Sequence, residues 1–187
     1  FTKRIPNGLT PKLIVMFVLG GMQGLLGWYM VKSGLVDNPR VSQYRLTAHL
    51  GAAVVIYGYI LWVAFDLVNK KGGQLKHRVL KPFSYSISAL IFFMILSGGL
   101  VAGTRAGLIY PTFPLMGDSF IPPGLYAMNP AWLSMFEDIT TIQFNHRMFA
   151  YFLVVVIFGF MFKAFALGIT NRLRVGIILL GTFLVLQ

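Results

Sequence analysis

Two histidines in this 187-residue sequence sit inside long apolar stretches, each with an arginine no more than one helical turn away. His49 closes the run Tyr44-Arg45-Leu46-Thr47-Ala48-His49, and His146 lies in Gln143-Phe144-Asn145-His146-Arg147. An ionisable side chain within a membrane span is costly and is a functional candidate by default. The plainer alternative is an imidazole hydrogen-bonded across a helix pair for packing. There is no cysteine, which removes thiolate and disulfide chemistry. With few carboxylates inside the apolar runs, a metal bound here is expected to be heme iron held by imidazole rather than zinc or a cluster. Arg45 and Arg147 are suited to grip a carboxylate such as a heme propionate in bidentate fashion. Snorkelling to the membrane interface is the competing use for both. One turn further in, Ala53 and Ala150 are small enough to admit a flat macrocycle. The third histidine, His77, stands between Lys76 and Arg78 and is expected to be solvated. Asp66, four residues before Lys70, reads as half of a surface ion pair.

The elements that carry these residues are set by composition. Hydrophobic residues make up 57% of the chain and charged residues only 11%, with a mean hydropathy of +0.74. A soluble domain carries about 25% charged residues. Leu13 to Val31 and Pro82 to Thr104 hold no charge at all. Such runs read as membrane-spanning helices, and no strand alternation suggests a barrel. The expectation is an all-α polytopic bundle with helices over 11–32, 44–68, 82–104, 140–165 and 173–187. The chain begins at Phe1 and stops inside an apolar run, so it is expected to be incomplete. The first twelve residues hold Lys3, Arg4, Lys12 and two prolines with no cleavage-like site, unlike a signal peptide.

Loop charges orient the bundle. The N-terminus and the loops 66–81 and 163–174 carry Lys3, Arg4, Lys12, Lys70, Lys71, Lys76, Arg78, Lys81, Lys163, Arg172 and Arg174 against Asp66 alone. The opposite side carries Lys32, Arg40, Arg45, Arg105 and Arg147 against Asp37, Asp118, Glu137 and Asp138. That asymmetry places the first side in the cytoplasm. It accounts for the net charge of +11 without nucleic acid. The second and fourth helices then enter from the outside. His49 and His146 lie about five and six residues in, roughly 7–9 Å along each axis, at similar depth near the outer face.

The outer segment 105–139 is long for a connection and holds Pro111, Pro114, Pro122, Pro123 and Pro130 among six aromatics. It reads either as an interfacial loop with aromatics at headgroup level or as a lid over a ligand site. Glycines 20, 21, 24 and 27 in the first helix, and 98, 99 and 103 in the third, point to close helix packing or to a flat ligand against the helix.

Several stretches resemble heme A synthase, in particular its alphaproteobacterial and mitochondrial form. They are Gln23-Gly24-Leu25-Leu26-Gly27-Trp28-Tyr29-Met30-Val31-Lys32-Ser33-Gly34-Leu35, Val41-Ser42-Gln43-Tyr44-Arg45-Leu46-Thr47-Ala48-His49-Leu50-Gly51, Leu96-Ser97-Gly98-Gly99-Leu100-Val101-Ala102-Gly103, Phe113-Pro114-Leu115-Met116-Gly117 and Gln143-Phe144-Asn145-His146-Arg147. The resemblance implies eight helices in two four-helix half-repeats, each half offering a pair of histidines to one heme. Five of those helices would be present. Residues 1–81 would be the last two helices of the N-terminal half, on the heme O side. Residues 82–187, with outer loop 105–139, would open the C-terminal half, on the heme b side.

On that pattern His49 would be an axial ligand of the heme O iron, with Arg45 beside it. His146 would be an axial ligand of the heme b iron, with Arg147 and Gln143 beside it. The implied reaction oxidises a ring methyl of heme O, through an alcohol, to the formyl of heme A for cytochrome oxidase. The catalytic glutamate and the partner histidines would lie on helices outside this chain, leaving the chain inactive alone. Where the equivalent glutamate would precede His146, this chain has Gln143, which suits a cofactor site. The implied setting is the bacterial cytoplasmic or mitochondrial inner membrane, with heme sites toward the outer side. The implied partners are heme O and heme A, the bilayer, heme O synthase, oxidase assembly proteins and a second copy of the chain. A di-heme electron-transfer protein and a non-enzymatic heme carrier or assembly factor are the alternatives.

Overall fold

A computed structural model describes residues 5–6, 8–32, 41–68 and 78–186. Among these the chain is helical: α1 Leu9–Lys32, α2 Gln43–Val68, α3 Leu80–Thr104, the short α4 Ser134–Glu137, α5 Ile139–Ala166 and α6 Asn171–Leu186. The five expected helices are found with their ends displaced by no more than two residues. α1, α2, α3 and α5 are each long and apolar enough to cross a membrane, and this is an integral membrane protein. At 1.5 Å per residue they run about 36–42 Å, against a hydrocarbon core of about 30 Å. The expectations resting on Lys3, Arg4, Asp37, Arg40, Lys70, Lys71, Lys76 and His77 lie outside the described residues.

The chain forms two compact units: Phe1–Gly73 with Ile95–Ala106, and Gln74–Met94 with Gly107–Gln187. In the first, α1 packs along α2 although none of its residues is buried. Lipid replaces water around such a helix, so an apolar residue on its outer face needs no protein partner. What joins the pair is polar and local. At one end Lys12 of α1 is ion-paired with Asp66 of α2, and its Nζ stands 5.4 Å from the Trp62 ring centroid. Asp66 therefore has a partner across the helix pair; the one expected from sequence, Lys70, lies outside the described residues.

The outer turns of α3 lie directly on the start of α2. A Cβ added at Gly99 would come within 2.8 Å of Thr47 Oγ1, and one at Gly103 within 2.6 Å of Gln43 Cα. Glycine is required there because backbone meets backbone, and side chains cannot yield. Gly103→Ala is expected to destabilise the full-length protein by about 1–3 kcal/mol through overpacking. Gly58→Ala, where a new Cβ meets nothing within 4 Å, is expected to be neutral. Thermal melting in detergent checks both, and equal melting of the two variants would disprove the packing assignment.

The second unit has a conventional apolar core. Leu80, Ile87 and Met94 recur every seven residues along α3 and meet Leu153, Ile157, Phe160 and Ala164 of α5, with Ile169 and Ile177 completing the cluster. This spacing places each set on one helical face. Asp138 caps α5, accepting from Thr141 N at 2.7 Å and from its Oγ1 at 2.6 Å. Gly168, at φ +66°, follows the last turn of α5, in the left-handed conformation that lets the chain turn off a helix at little steric cost.

Candidate functional site

Each unit places one of the two intramembrane histidines in a different setting. His49 is six residues beyond the start of α2, and α1 approaches it at two points a turn apart. Gln23 Nε2 donates to the His49 carbonyl oxygen at 2.9 Å. A Cβ at Gly27 would stand 3.1 Å from His49 Cε1, with both ring nitrogens next nearest. The ring edge is thus seated on the bare α1 backbone. Nδ1 of His49 and Oε1 of Gln23 are buried without a hydrogen-bond partner. An orphaned buried polar atom costs about 1–3 kcal/mol and calls for an explanation. Arg45, one turn outward on α2, stacks over Tyr29 of α1 with its guanidinium carbon 5.2 Å from the ring centroid. No ion pair joins it to an acid among the described residues. Deeper along α1, a Cβ at Gly20 or Gly24 would meet nothing within 4 Å, so that stretch of backbone is open.

His146 lies seven residues into α5, half-buried, among residues that fix the outer loop. Arg147 donates to three loop carbonyls: Nη2 to Tyr110 O at 2.7 Å, and Nη1 to Thr112 O at 2.9 Å and Leu115 O at 3.0 Å. Gln143 Nε2 donates to the same Tyr110 carbonyl at 3.0 Å. Tyr126 Oη and Asn145 Oδ1 are 2.6 Å apart, and Tyr126 N donates to Thr141 Oγ1 at 3.2 Å. Phe120 stacks on Tyr151 with centroids 6.1 Å apart. The loop buries Met116 and Pro122, and its backbone is pinned to α5. It is a folded structure. Gln143 Oε1 and Tyr151 Oη remain buried without partners. Ala150 packs toward the apolar core of this unit.

All five candidate residues are thereby located: His49 and Arg45 against α1 in the first unit, and His146, Arg147 and Gln143 on the first turns of α5 in the second. Gln23 and Tyr29 were not singled out from sequence. Gln23 is a lone amide within a 19-residue uncharged run, and a polar side chain at that depth was the available signal. The cap at Asp138 was legible as an acid three residues ahead of Thr141.

A family model described as cytochrome oxidase assembly protein, COX15-CtaA, matches residues 1–187, the whole chain. The chain belongs to that family. A heme A synthase of Nitrosospira multiformis is 49% identical over 188 residues, covering 99% of this chain and 53% of that protein. One from Parvibaculum lavamentivorans is 53% identical over 156 residues, 83% of this chain and 45% of the relative. The bovine protein named heme A synthase COX15 is 43% identical over 152 residues, 76% of this chain and 37% of its own length. The chain spans about half the length of the curated bacterial relatives it matches. No solved structure matches it.

A family of cytochrome oxidase assembly proteins with heme A synthases among its relatives implies heme, and the two settings suit it differently. Around His49, an imidazole with an unpartnered Nδ1, an arginine with no carboxylate partner among the described residues, and an open strip of helix backbone fit an iron porphyrin. Around His146 the imidazole fits, but Arg147 already spends three of its five N–H groups on the loop.

Proposed function

We propose that the protein containing this chain is a heme A synthase, which oxidises a ring methyl of heme O through an alcohol to the formyl of heme A. The observation that carries this reading is His49: an imidazole within a membrane helix, seated on glycine backbone and unsatisfied at Nδ1. Relatives named heme A synthase at up to 53% identity support it. In this reading residues 1–81 supply the last two helices of a heme O half. Residues 82–187 open a heme b half, with loop 105–139 as its lid.

His49 holds one axial position of the heme O iron and orients the ring, while Arg45 grips a propionate. His146 would hold the iron of heme b, and Arg147 and Gln143 would serve that site by fixing the lid over it. When bound, heme b supplies a one-electron store that carries electrons away from the reaction. In the first unit the one acid among the described residues is Asp66, seventeen residues along α2 from His49, roughly 25 Å away at 1.5 Å per residue. It cannot serve the methyl. On the pattern of the family, the catalytic carboxylate and the second ligands would come from helices other than those of residues 1–187, and this chain by itself would be inactive. The heme sites face the outer side of a bacterial or mitochondrial inner membrane. Heme O synthase, oxidase assembly proteins and a second copy of the chain are the partners this role implies.

The deciding experiment expresses the full-length protein with a heme O supply and extracts membrane hemes for chromatography. Formyl-bearing heme A is expected. Bound heme O or heme b with no heme A would favour an electron-transfer protein or a heme carrier.

A further inference from the structure

We infer that Gln23 and Gly27 are positioning residues for His49, setting the ligand's ring and main chain from the neighbouring helix. The inference rests on the ligand role proposed above for His49. The two residues lie four positions apart on α1, one turn, and so share a face. They meet the two parts of His49 separately. Gln23 Nε2 bonds the carbonyl at 2.9 Å, which as a helical carbonyl also faces the N–H four residues on, and its second lone pair accepts the amide. Because a carbonyl can only accept, this contact also decides which end of the Gln23 amide is nitrogen. Gly27 bounds the ring: with a Cβ only 3.1 Å from Cε1, any side chain there would shift or turn the imidazole.

Outer partners that orient a metal ligand are typically worth about 10–100-fold in affinity or activity. A ring misplaced by about 1 Å can cost about 100-fold in rate. α1 therefore acts as the template for His49 without touching the reacting atoms.

The test uses the full-length protein carrying Gly27→Ala or Gln23→Met, with Gly58→Ala as the control, since a Cβ at Gly58 meets nothing within 4 Å and residue 58 lies on the opposite face of α2 from His49. Heme A formation is expected to fall about 10–100-fold in the first two and to hold in the control. Bound heme O should move from a six-coordinate toward a five-coordinate spectrum, while heme b content stays at the wild-type level. A merely structural defect would lower heme b as well and leave the heme O coordination spectrum unchanged. Wild-type turnover with an unaltered heme O spectrum in both variants would overturn the assignment. The ligand reading would still stand if His49→Ala abolished turnover. Should neither variant accumulate, the infrared frequency of a 13C-labelled His49 carbonyl in the wild type decides. Two donors lower it below the ordinary helical value, and an ordinary value rejects the Gln23 bond.

Discussion

In the full-length protein, His49→Ala is expected to reduce heme A formation by about 100-fold or more while leaving heme b in place. Alanine offers no lone pair to iron, and His49 is the one histidine among the described residues of the first unit. Neither Arg45 nor Gln23 binds iron: one is a permanent cation, and the other already donates to the main chain. A porphyrin held by one remaining ligand would lose the orientation that brings its methyl to the reacting group, and misplacement by about 1 Å costs about 100-fold. The measurement is the ratio of heme A to heme O in extracted membranes, with the reduced heme b absorbance as the internal standard. If His49→Ala made heme A at the wild-type level, the substrate would have to sit elsewhere.

His146→Ala should have the complementary effect, removing heme b and with it turnover, because one imidazole of an axial pair has no substitute on α5. Gln143 and Arg147 flank it at helical spacing but point their nitrogens at the Tyr110, Thr112 and Leu115 carbonyls. Loop 105–139 is expected to stay folded in this variant, since Gln143, Asn145 and Arg147 keep their bonds to Tyr110, Thr112, Leu115 and Tyr126. Purified protein with stoichiometric heme b after this substitution would refute the assignment. Protease resistance of the loop equal to wild type would show that the loss is one of ligation and not of folding.

Much of this architecture was readable because lipid imposes a simple grammar. Uncharged runs such as Leu13–Val31 and Pro82–Thr104 can only be helices when every backbone group must bond within its own segment. The two histidines stood out for the same reason, as costly groups in an apolar run. What was not readable is the pairing across elements. Lys12 and Asp66 are 54 positions apart, a separation that no local spacing rule reaches. The bonds of Arg147 to main-chain carbonyls more than thirty residues earlier depend on a loop path that no periodicity encodes. Gly27 was visible as a small residue, but whether it seats a helix, a ring or a ligand depends on which side chain lies opposite.

The Arg147 clamp bears on how the protein is made. The loop precedes α5 in the chain, so the carbonyls of Tyr110, Thr112 and Leu115 are synthesised before their donor. Until residues 143–147 reach the membrane, this part of the loop lacks the anchor that holds it. Its folding is therefore not local but follows the threading of the next helix. The residue that closes it is the immediate neighbour of His146, so loop closure and delivery of that imidazole to its depth are one assembly event.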